Sequence, residues 1–151
     1  MNPAARTNQL LYQVELLLEQ TVGNDEHAVA RRMALEEAAL GQLELALDAL
    51  AREVTGHTDL SHRGFRDWLS TDVNVAELER LRGLASAPES WLAVLLTRLE
   101  ALHGDDGAAR REARRDLIAS ASAPPLGEQL GWFHREFKAL LPSLREGSLE
   151  W

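Results

Sequence analysis

The chain has 151 residues, enough for one domain that buries a core without staples, and no cysteine. Disulfides, iron–sulfur clusters, thiolate zinc sites and cysteine nucleophiles are therefore excluded. A formal charge of −8, from 24 acidic and 16 basic residues, repels phosphate polyanions and makes nucleic acid a disfavoured partner.

No run approaches the roughly 18 apolar residues of a membrane span. The opening MNPAARTNQLLYQ has one cation and no uninterrupted apolar stretch, unlike a secretory signal, so a cytoplasmic location and no membrane partner are expected. Apolar residues are 45% of the chain but aromatics only 5%, and the apolar share is mostly Leu and Ala. These are strong helix formers, and the scarcity of Ile, Tyr and Phe argues against sheet.

A first helix is predicted with Asn2 as N-cap and Pro3 at the first helical position. Leu10, Leu11, Val14, Leu17 and Leu18 form its apolar stripe, and Gly23 supplies a stop. Asn24 or Asp25 suits the cap of a longer second helix. In it Met33, Leu40, Leu43, Leu47, Leu50 and Val54 alternate by threes and fours until Gly56. Leu35, Ala38, Ala39, Ala46 and Ala49 widen this face beyond a coiled-coil seam, which favours packing against several helices.

Residues 57–73 have no sustained period; Leu60, Phe65, Trp68 and Leu69 are expected to dock as a short helix or folded loop. Asn74 with Glu77, and Ser86 with Glu89, have capping-box spacing and predict two further helix starts. The second helix would carry Trp91, Leu92, Leu95, Leu96, Leu99 and Leu102 to Gly104. GDDG at 104–107 is a predicted turn, and ARREARRDLIAS at 109–120 a predicted helix broken by Pro124 and Pro125. A final helix from about Gly127 carries Leu130, Phe133, Phe137, Leu140 and Leu144, kinking or ending at Pro142. The expected fold is all-α: an antiparallel helical bundle of about five helices in a single domain, with one long central helix.

The chain has no glycine-rich phosphate loop, nucleophile elbow or HExxH. Glu100 and His103 form one Glu-x-x-His, a spacing that ferritin-like bundles use for metal ligands. Such a centre needs a second copy, and Asp59 with His62 falls in the irregular connector. A solvated helix end complementing the dipole accounts for His103 equally well, and no metal or cofactor is expected.

Arg52 and His57 match the Arg-x4-His spacing of the HEPN superfamily of helical ribonucleases and nucleotide-binding domains. That resemblance implies an arginine stabilising phosphate charge and a histidine moving a ribose proton. Glu53 departs from the family's small polar residue, and Gly56 interrupts the helix before His57, so an ordinary helix end is the competing reading. On balance a non-enzyme is expected.

Four arginines, Arg110, Arg111, Arg114 and Arg115, make the densest basic patch, read first as a solvated face or one paired within the chain, then as one suited to an acidic protein partner, and last to nucleic-acid phosphate. Trp132 lies beside its helix's apolar stripe and Trp151 is the last residue, so each either covers a seam or faces a partner.

RTNQLLYQVELLLEQ at 6–20, PESWLAVLL at 88–96 and LREGSLEW at 144–151 together resemble a family of small helical proteins from pseudomonads and related gammaproteobacteria. The family is a domain of unknown function, so the resemblance implies a helical fold and a bacterial cytoplasmic setting but no activity. It directs attention to Arg6, Thr7, Asn8 and Tyr12 in the first helix. The expectation is an interaction or adaptor protein, whose partner is another protein or a second copy.

Overall fold

The computed structural model describes residues 2–56, 64–109 and 124–149, with side chains to residue 146. Among these residues there are six helices and no strand, so the fold is all-α. Apart from Ala109, the helix expected at 109–120 lies outside the described residues, as does Leu60 of the connector.

Helix α1 spans Pro3–Leu18; Asn2 Oδ1 accepts from Ala5 N–H at 2.7 Å, and Pro3 stands where an N–H is not needed. It ends at Leu18 rather than at Gly23, whose φ of +72° belongs to the following loop. The expected cap of the second helix is also displaced. Asp25 accepts from His27 N–H at 2.9 Å, but this closes a turn, and α2 begins only at Ala28. Arg31 fastens the connection, donating to Asp25 Oδ2 at 3.2 Å and to the Val22 carbonyl.

Helix α2, Ala28–Thr55, packs against every other helix. Leu40, Leu43, Leu47 and Leu50 are fully buried, flanked by buried Ala39, Ala46 and Ala51. The alanines let neighbouring helices approach while the leucines supply the burial, each contributing about 2 kcal/mol. Gly56 ends α2 in the left-handed conformation, as its position predicts.

The aromatic connector yields α3, Phe65–Leu69, with Phe65 and Trp68 buried. The chain after it is held by Arg82, which donates to the carbonyls of Leu69 at 2.7 Å, Thr71 at 2.7 Å and Val73 at 3.1 Å. Helix α4 covers Ala76–Ser86, and its N-cap is Val75 without a side-chain hydrogen bond, not Asn74. Glu77 and Glu79 in its first turn supply the negative charge the dipole favours.

Helix α5, Trp91–Leu102, is capped by Ser90, whose Oγ accepts from Ala93 N–H at 3.1 Å. Ser86 instead closes α4. Pro88 disfavours the helical conformation at the residue before it, and Ala87 is extended at φ −86°, ψ 108°, so the new helix starts beyond both.

Helix α6, Leu126–Leu149, runs through Pro142. A proline in a helix interior costs about 3 kcal/mol. Leu140, Leu141 and Leu144, all buried around it, offset that at about 2 kcal/mol each and keep the helix whole. Leu130, Phe133 and Phe137 continue the predicted stripe at full burial, with Trp91 tilted against Phe137 at a centroid distance of 5.4 Å. No described helix is long and apolar enough to cross a membrane.

Candidate interaction face

The first helix carries the cluster singled out by sequence, and the structure divides it. Thr7 is fully buried, donating to the Pro3 carbonyl at 3.1 Å and to Glu53 Oε2 at 3.0 Å. Glu53, near the end of α2, accepts from Arg145 of α6: Nε lies 2.6 Å from Oε1 and Nη2 3.3 Å from Oε2. Arg145 Nη2 also donates to Asn8 Oδ1 at 3.0 Å. Thr7 and Asn8 thus serve a polar lock joining three helices, in which the carboxylate and the guanidinium satisfy one another.

Arg6 and Tyr12 are exposed. Arg6 donates to Gln9 Oε1 at 2.6 Å, and Tyr12 is 59% exposed. Leu16, one turn further, is 40% exposed and completes an open strip on α1. Beside it, Gln13, Leu16, Leu17 and Gln20 of α1 and Gln42 of α2 line a shallow groove of about 350 Å³. Leu45, one turn beyond Gln42, is a further exposed leucine at 47%. The strip combines apolar side chains with amides that both donate and accept, the chemistry of a surface that binds another helix.

The sequence did not mark Leu16, Glu53 or Arg145 as site residues. Leu16 had a signal: in the run Leu16–Leu17–Leu18, three consecutive residues cannot share one face of a helix. Glu53 and Arg145 had none, because their meeting depends on packing between helices.

A smaller cavity of about 180 Å³ lies between the end of α1, the start of α2 and the start of α6. Its walls include Leu17, Leu18, Val22, Leu35 and Leu130, with Arg32 and Glu36 at its side. Those two charges pair with each other across one helical turn. Lined mainly by alkyl groups, the cavity offers packing space and no convergent polar set.

The remaining candidates fall partly within and partly outside the described residues. Arg52 has a buried Nε without a hydrogen-bond partner among the described residues. His57, the other half of the HEPN-like pair, lies outside the described residues, as do Arg110, Arg111, Arg114, Arg115 and Trp151. Trp132 packs partly buried on the core, its ring centroid 5.7 Å from that of Phe133. Glu100 and His103 do not act together: Glu100 meets Arg66 at 2.7 Å and His103 meets Glu44 at 2.8 Å. No group of three or more metal-ligating side chains occurs among the described residues.

Among curated proteins and among solved structures, nothing matches the chain. A family model does match, over residues 1–151, the whole length that carries this helical frame and its α1 strip. The chain belongs to the family of unknown function DUF6586.

Proposed function

We propose that the chain is a single-domain, non-enzymatic interaction protein of the bacterial cytoplasm that engages a protein partner through the outer face of α1 and the adjoining α1–α2 groove. The observation that carries this reading is the exposure of Tyr12 and Leu16 one turn apart on a well-anchored helix. The lock of Thr7, Asn8, Glu53 and Arg145 holds α1 in place beneath them. A rigid helix presenting a tyrosine and a leucine binds at low entropic cost, because little ordering remains to be done. An antiparallel bundle, as expected from the sequence, would leave one side of α1 outermost and so fits this role.

The test is photocrosslinking in cells with benzoylphenylalanine at position 12. A covalent adduct, of either the chain with itself or the chain with another protein, is expected. The control position is Glu26, exposed in the loop outside the strip, where no adduct should form. Absence of any adduct from position 12 overturns the reading.

A further inference from the structure

The charges on α1 run against its own dipole. The first turn contains no acid and the last turn no base. Instead Arg6 lies near the N-terminus, Glu15 and Glu19 lie at the C-terminal end, and nothing from Thr7 to Val14 is charged. A helix standing alone favours the opposite order, since its N-terminus attracts anions and its C-terminus cations. An uncharged middle with Tyr12 and Leu16 exposed, flanked by a cation at one end and carboxylates at the other, is self-complementary to an antiparallel copy.

We propose that the docking partner of this face is a second copy of the chain, with the two α1 helices pairing antiparallel about a two-fold axis between Tyr12 and Gln13. This rests on the docking reading above and commits it to one occupant. The register follows from the charges. With Arg6 of one copy beside Glu19 of the other, Tyr12 falls beside Gln13 and Leu16 beside Gln9. Both Tyr12 rings then flank the axis, the two leucines cover the glutamine stems, and each cation lies at the negative end of the opposing dipole. Parallel pairing would instead set Arg6 against Arg6 and Glu19 against Glu19.

Sedimentation equilibrium of the full chain reads the association, with circular dichroism on each variant. The chain is expected to be a dimer at about 0.1 mM. Tyr12→Glu with Leu16→Glu is expected to be monomeric with unchanged helicity, both positions being exposed. Arg6→Glu alone and Glu19→Arg alone should each weaken self-association about five-fold at low salt, and combining them should restore it to within about two-fold.

A wild-type monomer at that concentration overturns the proposal, and so does a dimer indifferent to the Tyr12 and Leu16 changes. A dimer that loses affinity on each charge reversal without recovery in the double variant overturns the antiparallel register. A monomeric chain that still crosslinks from position 12 to a different protein overturns self-pairing alone and leaves the docking reading standing. A monomer with no crosslink sinks both.

Discussion

Arg145 ties α6 to two other helices, reaching Glu53 on α2 and both Ala4 and Asn8 on α1. The Glu53 side chain is only 12% exposed, so removing its cation leaves a largely buried carboxylate supported, among the described residues, by the Thr7 hydroxyl. Arg145→Met is therefore expected to lower stability by about 2 kcal/mol, less than a fully buried pair would show because Arg145 is partly solvated; urea denaturation measures it. None of this lock was legible in the sequence. Its members are 46, 92 and 137 residues apart, and residue type alone does not say which acid meets which base.

Asp25 shows the same attraction between carboxylate and arginine at an exposed, local site. The Arg31 guanidinium bonded to it, then the His27 N–H, lower its pKa below the ordinary carboxylate value. A folded-state pKa below the unfolded one gives stability that is complete above the unfolded value, near 3.9, and lost as pH falls through the lower folded value. The stability difference between wild type and Asp25→Asn should accordingly be constant above about pH 5 and shrink below about pH 4. Urea midpoints measured across that range test the sign.

Helix boundaries were legible where one residue decides the backbone and obscure where several compete. Pro3 after Asn2 and left-handed Gly56 mark the start of α1 and the end of α2 as their chemistry requires. The capping-box spacings failed at both sites. A polar residue three before a glutamate is only a possible cap, and at Ser86 the restriction imposed by Pro88 prevails while Ser90 takes the role.

Pro142 illustrates tertiary override: of the kink or end the sequence offers, the end does not occur, and buried leucines on both sides carry α6 past the proline. Its exposed position has room for a substitute that donates the missing N–H. Pro142→Ala is expected to raise stability by about 2 kcal/mol, the helix-interior penalty less the entropy regained by the unfolded chain. Thermal unfolding followed by circular dichroism reads it, and a fall in midpoint contradicts the account.

Across the molecule, the all-α class and the core were the most legible features. The leucine and phenylalanine stripes of α2, α5 and α6 make up most of the buried cluster, because period 3.6 in apolar residues encodes a buried helix face directly. The candidate interaction face was legible only in part. Arg6 and Tyr12 stand on it, Asn8 belongs to the lock beneath, and Leu16 was overshadowed by the more periodic leucines around it.

The hydrogen bond between Arg145 and the Ala4 carbonyl spans 141 residues of chain. Closing so long a loop is entropically expensive before the intervening helices have formed, whereas α1 and α2 can meet early across a short connection. The lock is thus expected to form late in folding, a latch on a structure already assembled. Interactions absent from the folding transition state govern how fast a protein opens rather than how fast it forms. In stopped-flow measurements Arg145→Met should speed unfolding by roughly the whole of its stability loss and leave the refolding rate nearly unchanged.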